Sequence, residues 1–390
     1  MRAVRLDESE VGVGRVTLQT VADRVGVSRM TVSNAFSRPD QLSSALRDKV
    51  LKAAEELGYT GPDPSARALA RGSTGSVGVL LSNSPAEAFT DEVAAAFFSS
   101  IAATLSPRGI ALTLLSSEPS GDVMPARDVA MDGVIVYNCD PESGAREQVE
   151  RRKLPLVLVD QPNTRGFSSV NVEDRSGARA AAQHVVDLGH SRVALIGKTG
   201  VPPFGIVESS SAKGQGYAST ERLAGWIEVL TEAGIEPVIL QEPIDSTAGG
   251  RGALKAILEV QPDTTAILAF SDAMAAGVLL DAHDAGISVP DQLSVVGFDD
   301  NPLATRLRPQ LTTVRQDVTE KGRLAASMLV EAMADRRAGR PTEPRAVTLT
   351  TELVVRDSTA PPPRAGKPPE GAKRPQDGKR PRTRRPSARA

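Results

Sequence analysis

Residues 21–36 read VADRVGVSRMTVSNAF. Val21, Ala22 and Val25 fall at i, i+1 and i+4, and Val32, Ala35 and Phe36 at i, i+3 and i+4, so each set lines one stripe of a helix. Gly26 separates the stripes, and Ser28 stands where a second helix needs an N-cap. Leu46, Val50, Ala54 and Leu57 continue the helical spacing behind a cap at Ser43 or Ser44. The spacing predicts three short helices over 17–57 around a minimal core. The outward face of the second helix carries Arg29, Met30, Ser33 and Asn34, all polar or unbranched. A recognition helix needs that division: its inner face packs on the first helix and its N-terminal outer face enters the major groove. There an arginine can take guanine O6 and N7, an asparagine an adenine, and an apolar side chain such as that of Met30 a thymine methyl. Any small helical hairpin shows similar stripes, so a purely structural reading stands beside this one.

Charge at first argues against DNA. The 390 residues carry a formal net charge of −2. The total hides a partition, however. Residues 1–71 hold 11 Lys+Arg against 9 Asp+Glu, residues 72–360 hold 25 against 37, and residues 361–390 hold 10 against 2. An acidic middle lies between a mildly basic head and a strongly basic tail, so the net value says little about either end.

Hydrophobic content of 40% and charged content of 24% fit a globular chain, and its length implies two or three domains. There is no run of about 18 or more apolar residues, so no membrane span is expected. The N-terminal MRAVRLDESE lacks the apolar core of a secretory signal. Cys139 is the single cysteine and cannot form an intrachain disulfide. Together these features point to the cytoplasm. Three histidines and one cysteine are poor material for zinc, and no metal or cofactor is expected.

Outward from the headpiece, TGPDPSARALARGSTGS reads as a linker whose middle can make two helical turns behind Pro64. Short apolar runs then alternate with helical segments: SVGVLLS (76–82), IALTLLS (110–116), GVIVY (133–137), PLVLVD (155–160), VALIG (193–197), PVILQ (237–241), AILAF (266–270) and LSVVG (293–297). Continuous apolar strands alternating with helices predict parallel sheets covered on both faces, and the length suffices for two doubly wound lobes with a ligand cleft at the strand carboxyl ends. From 360 onward, apolar periodicity is absent and a disordered basic tail is expected over 361–390. It is either a solvated tail or a source of non-specific attraction to phosphates.

The headpiece VTLQTVADRVGVSRMTVSNAF with KVLKAAEELGY, the hinge SARALARG, and RLAGW, LSVVGFDD and LTTVRQD in that order resemble the lactose-repressor/galactose-repressor family of bacterial regulators over residues 16–357. The resemblance implies a helix-turn-helix headpiece (16–60), a hinge helix and linker (61–75), and a two-lobed core like the periplasmic binding proteins (76–360). The first lobe would take 76–172 plus 315–345 and the second 173–314 plus 346–360. It implies a homodimer on a near-palindromic double-stranded operator, with control by a small ligand, a sugar first and a nucleoside or purine corepressor as the alternative. Base-reading positions then fall on Arg29, Met30 and Asn34. Thr17, Ser28, Ser33, Ser43 and Tyr59 fall on the DNA backbone, and Arg67 and Leu69 on the hinge. Leu69 would wedge into the minor groove, or pack between hinge and core. The segment TGPDPS is one residue longer than the family pattern, which leaves the first residue of the hinge helix open.

Asp160, Ser271, Asp272 and Asp299 end apolar runs, where polar groups either contact a ligand or cap the next helix. Carboxylates accept from vicinal hydroxyls and an arginine donates several bonds, so Asp plus Arg suits a sugar. The resemblance adds Arg222, Phe89, Asp91 and Gln316 to the effector site. The stretch IDSTAGGRGAL, where a stacking aromatic would stand, has none. Phe204 in the long 197–216 loop is a substitute, and Trp226 is read as core. Enzyme signatures fail. GKTG at 197–200 has Arg192 where a P-loop needs glycine, and there is neither a strand–GxGxxG–helix nor a GxSxG.

Overall fold

The computed structural model describes residues 16–363, apart from 83–84, 120, 140–143 and 215. The expected disordered tail lies outside the described residues from 364 onward.

Three helices build the headpiece: α1 (Leu18–Val25), α2 (Arg29–Ser37) and α3 (Ser44–Glu56). Each begins at a hydroxyl N-cap. Thr17 accepts from Thr20 N at 3.4 Å, Ser28 from Thr31 N at 3.0 Å and Ser43 from Leu46 N at 3.4 Å. Gly26 closes α1 with φ 78°, a left-handed geometry that a side chain would strain, and so sets the turn into α2. Val21, Val32 and Val50 are fully buried at the junction of the three helices; each such burial is worth roughly 1.5–3 kcal/mol. The hinge helix α4 (Pro64–Arg71) starts on an Asp63 cap, which accepts from Ser65 N at 2.8 Å and Ala66 N at 3.2 Å, and stops at Gly72 with φ 64°. That settles its first residue: Pro64 takes the first helical position, where its missing N–H leaves nothing unpaired.

The core strands are β1 (Ser76–Leu81), β2 (Ala111–Ser116), β3 (Gly133–Tyr137), β4 (Leu156–Val159), β5 (Ser168–Val172), β6 (Val193–Lys198), β7 (Gly205–Val207), β8 (Val238–Glu242), β9 (Ala266–Ala269), β10 (Ser294–Asp299), β11 (Thr312–Gln316), β12 (Ala346–Leu349) and β13 (Thr351–Val354). They form two sheets, β12–β5–β4–β3–β1–β2 in the first lobe and β13–β11–β10–β9–β6–β8–β7 in the second. All eight apolar runs named above are strands. Pairing is parallel throughout the first sheet, but β13 on β11 and β7 on β8 are antiparallel, which modifies the expected parallel pattern at both edges of the second. Helices cover both faces, and apolar strand residues such as Val134, Leu158, Leu195 and Leu268 are fully buried.

The chain crosses between lobes three times, and two crossings depart from the expected boundaries. β11 runs to Gln316 in the second sheet, so 315–316 do not belong to the first lobe. β12 pairs in parallel with β5, so 346–349 belong to the first lobe and not the second; only β13 returns. The physical reason is that TTVRQ, AVTL and TELV mix polar and apolar residues as edge or near-edge strands do, and carry no continuous apolar run to mark them. Among the described residues no helix is long and apolar enough to cross a membrane.

Candidate functional site

Two surfaces collect the candidate residues. On the headpiece, Arg29 and Met30 project from the first turn of α2, with Met30 69% exposed, while Val32 and Ala35 face inward. Ser33 and Asn34 are half-buried, and Asn34 Nδ2 donates to Gln41 Oε1 at 3.1 Å. Thr17, Ser28 and Ser43 are the three caps, so they lie at helix N-termini, where backbone N–H groups and the helix dipole favour phosphate. Tyr59 packs edge-on against Phe36, centroids 5.8 Å apart; its phenol pKa is raised by burial and then by Asp63. On α4, Arg67 is half-buried and Leu69 is 86% exposed. Leu69 therefore makes no buried contact with the core.

One carboxylate gathers the end of the hinge linker onto the core. Asp132, just before β3, accepts from Ser73 Oγ at 2.7 Å, Thr74 N at 2.7 Å and Gly75 N at 3.0 Å, and from Arg337 Nη2 at 3.1 Å. Burial would raise its pKa, but the bonds from Ser73, Thr74 and Gly75 hold it below the ordinary value.

The second surface is the cleft at the carboxyl ends of both sheets. Three adjoining cavities of about 300, 270 and 50 Å³ lie there, and Asp91 lines all of them. The largest is walled by Tyr137, Asn138, Lys198 and Asp245 among others, and the smallest by Asp160, Arg222, Asp299, Gln316 and Lys321. Ser271 and Asp299 face the third.

A buried chain of polar groups runs across this cleft. Arg222 donates from Nε to Asp174 Oδ1 (2.8 Å) and from Nη1 to Phe270 O (2.7 Å) and Asp299 Oδ1 (3.2 Å). Its guanidinium lies 3.6 Å from the Phe298 ring centroid. Burial alone would lower the Arg222 pKa, but Asp299 and Asp174 hold it above the ordinary arginine value. Asp299 Oδ1 also accepts from Gln316 Nε2 at 2.7 Å. Gln316 Oε1 in turn accepts from Lys321 Nζ at 3.0 Å, and Lys321 reaches Asp160 Oδ2 in the first lobe at 2.7 Å. Burial raises the carboxyl pKa values of Asp299, Asp174 and Asp245, and Arg222 works against it.

Three strand-end residues here take the left-handed region without being glycine: Asn138 (φ 47°), Asp160 (φ 51°) and Asp299 (φ 113°). Such conformations cost of order 1–3 kcal/mol and persist where the surroundings hold them. Asn138 Oδ1 and Asp160 Oδ1 are buried with no hydrogen-bond partner. Both are acceptors on residues that line the cavities, so the cleft can accept hydrogen bonds from donors such as hydroxyls.

Two expected residues lie off the cleft. Phe89 is 69% exposed and turned to solvent, while its neighbours Ala88 and Thr90 line the wall. Asp272 is buried in the second lobe, accepting from Thr313 Oγ1 (2.5 Å) and Asn301 N (2.9 Å), and is tied to the fold rather than the cavity. The serine beside it does face the cleft: Ser271 caps the helix Asp272–Asp284 and donates to Asp245. Sequence reasoning missed Asn138, Lys198, Asp245 and Lys321. The first three end or follow strands, a signal that could have found them; Lys321 sits in VTEKGRLAAS, which carries none.

A capped helix-turn-helix, a hinge helix and a two-lobed cleft define a DNA-binding regulator with a small-molecule-binding core. Comparison with known proteins agrees. Residues 17–62 match the model of bacterial regulatory proteins of the lacI family, and residues 182–359 match that of the periplasmic binding protein-like domain. An HTH-type transcriptional regulator of Mycobacterium tuberculosis is 36% identical over 365 residues, covering 90% of this chain and 98% of the relative. The regulator IpsA of Corynebacterium glutamicum is 34% identical over 335 residues, 81% and 90% of the two chains. Among solved structures, a transcriptional regulator CelR–cellobiose complex matches with TM-score 0.63 and 29% identity, over 88% of this chain and 100% of that one. The lac repressor dimer bound to operator and the anti-inducer ONPF matches with TM-score 0.68 and 26% identity, over 88% and 99%. The chain belongs to the lacI family of transcriptional regulators, and its relatives are DNA-binding regulators rather than enzymes.

Proposed function

We propose that this regulator is a homodimeric cytoplasmic repressor that binds a near-palindromic operator and is controlled by a hydroxylated ligand, a sugar, held in the cleft. The observation that carries the ligand class is the pair of unpartnered buried acceptors, Asn138 Oδ1 and Asp160 Oδ1, beside the Arg222–Asp299–Gln316 chain. A sugar supplies the donors those acceptors lack and can bridge both lobes. The cellobiose bound by a relative supports the same class. A nucleoside remains the competing ligand; among the described residues that wall the largest of the three cleft cavities, Tyr137 is the sole aromatic, so that cavity offers no pair of rings to sandwich a base.

On the DNA side, Arg29, Met30 and Asn34 read bases, while Thr17, Ser28, Ser33, Ser43, Tyr59 and Arg67 fix register on the backbone. The exposure of Leu69 supports its role as a minor-groove wedge, since a leucine so exposed gains by burial between base pairs. Ligand in the cleft acts through the lobes on the separation of two hinge helices, and so on whether both wedges can seat.

A thermal-shift panel of neutral sugars and nucleosides tests the ligand class. A binder present at about 100 times its Kd stabilises the fold by roughly 2.7 kcal/mol. A sugar is expected to shift the transition, and Asp160→Asn is expected to reduce that shift. A shift given by a nucleoside and by no sugar would overturn the assignment.

A further inference from the structure

The helix Val318–Arg337 has 20 residues and opens inside the cleft. Lys321, in its first turn, is buried and bridges the lobes through Asp160 and Gln316. The last residue of the same helix, Arg337, donates to Ser73 Oγ at 2.7 Å and to Asp132 Oδ2 at 3.1 Å. Those are the groups that tie the hinge to the core. Lys321 and Arg337 stand about 24 Å apart at the helical rise of about 1.5 Å per residue.

Packing along the helix leaves it little freedom. Near its start, a Cβ on Gly322 would come within 2.8 Å of Phe97 O, and Ser100 Oγ donates to Thr319 O at 2.6 Å. Farther along, Gly133 of the first sheet lets Leu329 and Met333 approach so closely that a Cβ there would meet them at 3.0 and 3.1 Å. A close-packed helix of this kind moves as a body and transmits displacement rather than absorbing it.

We propose that Lys321 is a positioning residue for the DNA-binding hinge: by anchoring the cleft end of this helix it holds the Arg337–Ser73–Asp132 joint at the other end. The regulatory consequence rests on the reading of the cleft as the controlling site. A ligand that takes Asp160 or Gln316 competes for the acceptors of the Lys321 ammonium. A buried ammonium cannot stay where it is without them, so it moves and carries the helix with it. The joint then loosens where the hinge enters the core.

The test needs neither ligand nor operator, so its failure is distinct from failure of the proposed function. Residue-resolved amide hydrogen exchange on the full chain reads Thr74 N and Gly75 N, both bonded to Asp132. Lys321→Met and Arg337→Gln are each expected to accelerate exchange at those amides about tenfold, the scale of a modest local opening. The double variant should exceed neither single change by much, because both break one connection. Amides of β9 and β10 in the second lobe should keep their wild-type rates. Lys198→Gln, which alters the cleft without touching the helix, should leave Thr74 and Gly75 unchanged. If Lys321→Met does not fold, Asp160→Asn gives the same readout from the other partner. Wild-type exchange at Thr74 and Gly75, equal acceleration in both lobes, or an equal effect of Lys198→Gln overturns the inference.

Discussion

The headpiece with its hinge and the cleft treat their polar groups in opposite ways. On α2 and α4 two of the side chains proposed to meet DNA stand outside the fold: Met30 and Leu69 are largely exposed, and the headpiece core of Val21, Val32 and Val50 is complete without them. In the cleft the groups proposed to meet the ligand are part of the fold. Arg222, Asp299, Gln316, Lys321 and Asp160 are buried and bonded to one another, with Asp160 Oδ1 left free. The difference separates recognition from stability at the DNA end and couples them at the ligand end. A ligand that donates to the free acceptors also competes with these bonds, and that competition is what gives it leverage on conformation.

The largest expected effect breaks the cleft. Arg222→Ala leaves Asp174 and Asp299 buried without their cation, and should cost about 3–5 kcal/mol of stability at neutral pH. Urea denaturation checks it; a loss below about 1 kcal/mol would place Arg222 on the separable side of the comparison.

Acidity probes the buried carboxylates beside the cleft; the described headpiece residues include none. Burial raises the Asp272 pKa from 3.8 to about 7. Between those values the folded chain keeps a proton that the unfolded chain has lost. This group's stabilising contribution is therefore fully present below the lower value and is lost as pH rises through the upper one. Stability should fall by roughly 4 kcal/mol across the transition, at about 1.4 kcal/mol per pH unit near its steepest. Asp272→Asn should flatten the profile, and a profile of unchanged slope in the variant would remove Asp272 as the source.

Smaller and opposite in kind is the headpiece effect. Arg29→Ala should cost about 1–3 kcal/mol of operator affinity at one base pair. The variant should nevertheless unfold within about 0.5 kcal/mol of wild type, as exposed substitutions do. Loss of stability together with affinity would show that reading and packing are not separate there. The smallest effect concerns the tail. Removing residues 361–390 should lower the salt dependence of non-specific DNA binding and leave operator affinity at fixed salt within about twofold, and titrations at several salt concentrations read both.

Much of this was legible because the signals are local. Helical stripes marked α1, α2 and α3, hydroxyls marked their caps, and continuous apolar runs marked eight of the strands. Asp160, Ser271 and Asp299 stand out as polar residues at strand ends, and the cavities gather them with Asp91, Arg222 and Gln316, which only the family resemblance pointed to. What stayed hidden depends on distant pairing. Lys321 meets Asp160 across 161 positions of sequence, and a lysine in a helix ordinarily reads as a solvated charge. β11, β12 and β13 are mixed in polarity, so the lobe boundaries they set left no mark. Asp272 and Phe89 show the converse: a position next to a strand end or an active wall does not fix where the side chain turns.

The central claim is that cleft and hinge share one equilibrium. Calorimetric titration of the sugar that gives the largest thermal shift, with and without a selected operator duplex, tests it directly. The account predicts that operator changes the sugar's affinity by about 5- to 150-fold, and that the sugar changes operator affinity by the same factor. Equal sugar affinity in the two titrations would contradict it.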